Sequence, residues 1–163
     1  MSTTLWRPIG VYELRLIAQS GFRAFPPRLA EQPIFYPVCN QEYAAEIASK
    51  WNTGDPNSGH GGFVTRFDVA DEVAAQYPRH VVGARRHEEL WVPAADLASF
   101  CAAFVAPIAV VQGWLGPRFT EVAAWAGPVG DLHSDDLAQV IALIVSGPLR
   151  GGPRTEGITA SSP

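Results

Sequence analysis

The sequence is poor in charge and in cysteine, and it has no long hydrophobic run. Charged residues make up 17% of the 163-residue chain, below the roughly 25% of an average soluble domain. The two cysteines, Cys39 and Cys101, are too few for a disulfide framework and form no CxxC pair. These shortages exclude a disulfide scaffold, a coiled coil and a fibrous protein.

The charge that is present gives a net value of −4, whereas a nucleic-acid-binding module usually carries a basic stripe. We therefore expect no nucleic-acid partner. The apolar stretches 100–111 and 137–145 are shorter than the roughly 20 residues of a membrane span, and the first ten residues lack the pattern of a secretory leader. No membrane partner and a cytoplasmic location are expected.

A metal site is not expected either. The chain has two cysteines and four histidines, and these residues never occur at the paired spacing of zinc ligands.

Glycine (15) and proline (14) are abundant, which favours short elements joined by many loops. Short apolar strands alternate with short amphipathic helices. We predict helices at 11–20, 41–51, 93–104 and 135–145, and strands at 5–7, 34–36, 63–69, 80–82, 89–92 and 107–112. This order predicts an α+β fold with a small, split, mostly antiparallel sheet and short flanking helices.

Three local features are expected as well. Asn40 and Ser134 are suited to cap the helices that follow them. Tyr43, Ile47 and Trp51 recur every four residues and are expected on the buried face of the helix at 41–51. Residues 22–33 contain three prolines and are expected to form an irregular surface loop.

The composition changes after residue 112, where glycine becomes frequent. We therefore divide the chain into a domain at 1–112, an extension at 113–146 with one amphipathic helix, and a disordered tail at 147–163. The extension's helix is expected to dock on the domain or to form a homodimer contact.

An acidic residue that opens an apolar strand is the first candidate for chemistry. Strand alternation puts Glu89 and Trp91 on one face, with His87 beside them, and directs Leu90 and Val92 to the other. If Leu90 and Val92 face the core, Glu89 lies in a groove beside a large aromatic ring. The alternative is a solvated strand start with Trp91 filling a surface hollow.

Arg7 and Tyr36 are candidates at the ends of two other strands. The Arg7 guanidinium can bind a phosphate or carboxylate, or it can pair with a nearby acid. Tyr36 offers a flat face and a hydroxyl group for a ligand, or it is simply a core aromatic. The glycine-rich loop at 54–62 matches neither a Walker A motif nor a dinucleotide fingerprint.

Four stretches together resemble a known fold. They are Leu5-Trp6-Arg7-Pro8, GFRAFPPRLAEQPIFYPVCNQEYAAEIASKWN at 21–52, GFVTRFDV at 62–69 and HEELWVPAADL at 87–97. Together they resemble the ADP-ribosyltransferase-like fold, and more closely the short bacterial proteins labelled ADP-ribosylation/crystallin J1. The resemblance covers about residues 5–111.

The resemblance implies that the protein takes NAD as its substrate and transfers ADP-ribose from it or hydrolyses it. It implies that Arg7 contacts the dinucleotide, that Tyr36 helps to bind it, and that Glu89 is catalytic. Trp91, beside Glu89 on the same strand face, is expected to help to bind the dinucleotide. His87 is expected to be catalytic together with Glu89, because it stands where many transferases place a residue that helps to select the acceptor. The Ser-Thr-Ser run of many relatives is missing after Tyr36, and His87 replaces their Glu or Gln, which argues against an arginine acceptor.

Two other interpretations of the same fold stay open. One is that the protein is a non-catalytic ligand- or protein-binding module, with Trp91, Tyr36 and Trp51 lining a groove. Alternatively, it is a small tailoring enzyme of secondary metabolism that uses the cleft for another substrate.

Overall fold

The computed structural model describes residues 1–83 and 87–151. The strands are β1 (Ser2–Ile9), β2 (Ile34–Phe35), β3 (Gly61–Ala70), β4 (Arg79–Val81), β5 (Glu88–Leu90), β6 (Val92–Pro93), β7 (Ala109–Leu115) and β8 (Gly130–Leu132). The helices are α1 (Val11–Gln19), α2 (Gln41–Lys50), α3 (Asp71–Ala74), α4 (Leu97–Ala102) and α5 (Ser134–Ser146).

The largest sheet has four antiparallel strands in the order β1-β3-β7-β8. The first strand is longer than predicted, because it continues through Pro8 to Ile9, where it pairs with Phe63. A proline is tolerated there because β1 is the edge strand of this sheet, so its missing N–H does not interrupt a central ladder.

A second set of strands lies beside β1. The pairs β2-β6 and β4-β5 are both antiparallel. Val38 joins them to the first sheet, because it forms an antiparallel bridge to Trp6 on one side and to Glu89 on the other. The structure therefore confirms a small α+β fold with a mostly antiparallel sheet, divided into parts, and short helices.

Helix α2 is capped and packed as its sequence predicts at the start, but not at the end. The side chain of Asn40 accepts a hydrogen bond from the N–H of Tyr43, which is the predicted N-cap. Gly62 lets β3 approach α2 closely, since a Cβ at this position would overlap the carbonyl oxygen of Ala48 in that helix. The prediction of a buried Trp51 is wrong: the helix ends at Lys50 and Trp51 is 57% exposed.

The C-terminal region belongs to the main hydrophobic core. The expected boundary between residues 112 and 113 falls inside β7. Val140 and Ile144 of α5 are fully buried in the same cluster as Leu14 and Ile17 of α1. The apolar face considered for a homodimer is therefore already covered within the chain at these two positions. The expected cap Ser134 is the first helical residue, and His133 precedes it as N-cap.

The last part of the expected tail, residues 152–163, lies outside the described residues. Residues 147–151 are described and lie against the domain: Arg15 donates to the carbonyl oxygen of Gly147, and the Gly151 N–H donates to Glu121. In the ranges that the structure covers, no helix is long and apolar enough to span a membrane.

Candidate functional site

A cleft of about 390 Å³ brings three of the five predicted site residues together. Its lining comprises Arg28, Glu31, Gln32, Pro33, Ile34, Tyr36, Tyr43, Val82, Glu89 and Trp91. The volume lies at the lower end of the range of small-molecule sites, about 300–1,000 Å³. Tyr36, Glu89 and Trp91 were expected here from the sequence, whereas Arg28 and Tyr43 were not.

Strand β5 holds Glu89 at the cleft by burying the alternate residues. Leu90 and Val92 are 2% and 0% exposed, so the prediction that they face the core is confirmed. Glu89 is itself only 6% exposed. The cleft therefore holds a carboxyl group that is largely shielded from bulk water.

The Glu89 carboxyl has a direct hydrogen-bond donor. The indole Nε1 of Trp91 donates to its Oε1 at 3.0 Å. Burial raises the pKa of Glu89, and the Trp91 hydrogen bond together with the charges of His80 and His87 partly offsets this rise. Because burial weakens the screening by water, a charge on this carboxylate acts more strongly on a nearby ligand than an exposed one.

Aromatic rings form the middle of the cleft. Tyr36 meets Trp91 edge-to-face, with 6.2 Å between the ring centroids and an angle of 90°. His80 stacks on Trp91 with centroids 3.8 Å apart. Trp91 is thereby fixed by a hydrogen bond and by two ring contacts, although it is 41% exposed. A ring held in this way loses little freedom when a flat ligand packs on it.

His87 lies one layer away from the cleft. It stacks on Tyr43, a lining residue, with centroids 4.2 Å apart and planes at 14°. Its Nε2 is 3.4 Å from Oε2 of Glu46. Burial, then the charges of Glu89 and Glu46, raises the pKa of Tyr43. His87 therefore supports the wall of the cleft, and its predicted influence on an acceptor stays a prediction.

Arg7 is not among the residues that line the cleft, and it is bound to a carboxylate of its own chain. It is 2% exposed, and its Nε and Nη2 donate to Glu13 at 2.9 and 3.3 Å. Its guanidinium also lies 4.7 Å from the centroid of Phe35. A ligand in the cleft would reach Arg7 only after Glu13 released it.

Among the residues that the structure describes, Arg28 is the arginine that lines the cleft. It belongs to the proline-rich loop at 22–33, which the sequence indicated only as an irregular surface segment. The loop is not all surface, since Phe25 is 4% exposed and its ring packs on Phe35 at 5.0 Å. Four later residues of the loop, Arg28, Glu31, Gln32 and Pro33, line the cleft together with Tyr36.

A larger apolar trough of about 790 Å³ lies elsewhere on this loop. Its lining is Arg23, Ala24, Phe25, Pro27, Ala94, Ala95, Leu97, Ala98, Cys101, Ala102, Phe104, Val105, Ala106 and Pro107. Cys101 contributes a thiol group to this trough. Burial raises the pKa of the Cys101 thiol, which keeps it in the unreactive protonated form. The trough offers apolar contact, whereas the smaller cleft offers charge and hydrogen-bonding groups.

Over residues 1–83 and 87–151, no three His, Cys, Asp or Glu side chains come together as metal ligands would. Comparison of the chain with protein-family models, with curated proteins and with solved structures finds no match.

Proposed function

We propose that the cleft binds NAD and that the protein transfers ADP-ribose from it, or hydrolyses it, on an ADP-ribosyltransferase-like fold. The observation that carries this proposal is the meeting of Glu89, Tyr36 and Trp91 in one cleft with Arg28. A shielded carboxylate, flat rings and a cation are the groups that a positively charged pyridinium ring, its ribose and a diphosphate require.

Glu89 would act on the ribose next to nicotinamide. As the bond between C1′ and the ring nitrogen breaks, its electron pair leaves with nicotinamide, and positive charge develops on the ribose. A carboxylate near the ribose stabilises that charge and accepts a hydrogen bond from a sugar hydroxyl. Water or an acceptor group then attacks C1′ and loses a proton.

Trp91 would orient this carboxylate. Its N–H occupies Oε1 of Glu89, which leaves Oε2 to accept a hydroxyl group. Tyr36 and the exposed part of Trp91 would offer surfaces to nicotinamide. Arg28, Glu31, Gln32 and Pro33 also line the cleft and would limit access of water.

Release of nicotinamide from NAD by the purified full chain tests the proposal. Glu89→Gln keeps an acceptor for Trp91 but removes the charge, so we expect the rate to fall by roughly 10²–10³. Glu88→Gln is the matched control, because Glu88 pairs with Arg79 at 3.6 Å and is 37% exposed. Equal rates for wild type and Glu89→Gln would reject the role of Glu89.

A second candidate is a binding module without chemistry. The 41% exposure of Trp91, held rigid by His80 and Glu89, favours it, because rigid exposed aromatics are frequent anchors in binding sites. The same experiment separates the two functions: the module would bind NAD or another ligand with no nicotinamide release in wild type.

A further inference from the structure

The guanidinium of Arg28 carries donors that lack acceptors. Its Nε and Nη1 are shielded from solvent and have no hydrogen-bond partner in the part of the chain that the structure describes. A shielded charged donor without an acceptor is unfavourable, because it has lost its water and gained nothing in return. Burial, followed by the charge of Arg7, lowers the pKa of Arg28 to about 10, so the group remains a cation at neutral pH.

The described carboxylate that acts most strongly on Arg28 is already engaged. Among the described residues, Arg7 and Glu13 are the charged groups that most affect the pKa of Arg28, and the Glu13 carboxylate accepts two hydrogen bonds from Arg7. Glu31 and Glu89 also line the cleft, but neither accepts a hydrogen bond from Nε or Nη1 of Arg28. An anionic group of a ligand would supply the acceptors that these two donors lack.

The cleft has an order from base to acid. Arg28 has Tyr36 among its electrostatic neighbours, Tyr36 contacts Trp91, and Trp91 donates to Glu89. The charged neighbours of Glu89 are instead His80 and His87. A cation, two flat rings and a carboxylate thus line one cleft, and contacts join the rings to each other and to the carboxylate.

We propose that Arg28, and not the buried Arg7, binds the anionic group of the ligand, and that this group is a diphosphate. Under the proposed function, on which this assignment rests, the diphosphate is that of NAD. The strand arginine Arg7 then has a structural role, because it is buried and paired with Glu13. Bidentate hydrogen bonds between a guanidinium and phosphate oxygens are among the strongest in proteins.

Calorimetric titration of the full chain with ADP and with uncharged adenosine tests the assignment. We expect wild type to bind ADP at least about tenfold more tightly than adenosine. Arg28→Gln should weaken ADP binding about tenfold or more and leave adenosine binding unchanged, while Arg28→Lys should retain part of the ADP affinity. Arg23→Gln is the matched control, because Arg23 is an exposed arginine of the same loop that lines the other cavity.

The assignment is overturned if Arg28→Gln binds ADP as wild type does, if Arg23→Gln weakens ADP equally, or if wild type does not distinguish ADP from adenosine. Circular dichroism of both Arg28 variants shows whether each is folded, and Arg28→Lys serves if Arg28→Gln is not. Nicotinamide release separates the two proposals. If Arg28→Gln releases nicotinamide with an unchanged KM for NAD, only the assignment of Arg28 is rejected. If ADP binding depends on Arg28 but wild type releases no nicotinamide, only the proposed reaction on NAD is rejected.

Discussion

Trp91 donates its indole N–H to the carboxyl group of Glu89, two residues earlier on the same face of the strand segment. Both side chains point to the cleft because Leu90 and Val92, between and after them, are buried in the core. The bond therefore follows directly from strand alternation, and it links the chemistry of the acid to the position of the ring.

Replacing Trp91 by Phe should raise the pKa of Glu89 further. The indole hydrogen bond favours the ionised carboxylate, as the lowering contribution of Trp91 indicates. An NMR titration of the Glu89 carboxyl carbon measures the shift. Trp51→Phe is the control, since Trp51 is 57% exposed at the end of α2 and should leave the titration unchanged. Identical titrations in wild type and Trp91→Phe would contradict the prediction.

Glu89→Gln should stabilise the folded protein near neutral pH. Because burial raises the pKa of Glu89 in the folded state, the folded protein holds this proton more tightly than the unfolded chain does. The resulting stability is complete below the ordinary pKa of about 4.5 and is lost as pH rises through the raised value. Melting temperatures of both proteins from pH 4 to pH 7 should show the advantage of Glu89→Gln growing with pH. A constant difference would argue against a charge effect.

Glu13→Gln should destabilise the protein by about 3–5 kcal/mol, because it leaves the buried Arg7 guanidinium without its anion. Urea unfolding measures this loss. Arg7→Met combined with Glu13→Leu should lose less than Glu13→Gln alone, since both charges are then gone. Glu88→Gln removes a half-exposed pair with Arg79 and should change stability by less than about 1 kcal/mol. If Glu13→Gln also lowered the free energy of unfolding by less than about 1 kcal/mol, the buried pair would not be stabilising the fold.

Ile144→Ala tests whether helix α5 is part of the domain. Ile144 is fully buried in the cluster that contains α1, so truncation should lower the free energy of unfolding by about 2–5 kcal/mol. Val129→Ala, at a position 54% exposed, should stay within about 0.5 kcal/mol of wild type. An unchanged main transition in Ile144→Ala would mean that α5 unfolds separately.

The parts of the fold that depend on neighbouring residues could be predicted from the sequence. The Asn40 cap and the buried face of Leu90 and Val92 are such cases, because a cap and a strand alternation involve only a few consecutive residues. The burial predicted for Trp51 is wrong because a spacing of four residues keeps side chains on one face only while the helix continues. The chain instead turns into a short 3₁₀ segment after Lys50.

The candidate site was predictable only in part for the same reason. Tyr36, Glu89 and Trp91 lie in or next to short strand segments, and a strand segment can be recognised from the pattern of its own residues. Arg28 reaches the cleft because Phe25 anchors an irregular loop against Phe35, and no local pattern marks a contact between distant segments. The pairing of Arg7 with a buried acid could have been suspected from Glu13, because this acidic residue lies in the first, apolar turn of α1, which begins at Val11.

Val38 exchanges main-chain hydrogen bonds with Trp6 at 3.0 and 2.7 Å and is bridged on its other side to Glu89. One residue without a functional group thus sets the register between the strand that carries Arg7 and the strand that carries the acid. A change of backbone geometry at Val38 would therefore move the guanidinium of Arg7 and the carboxyl group of Glu89 at once.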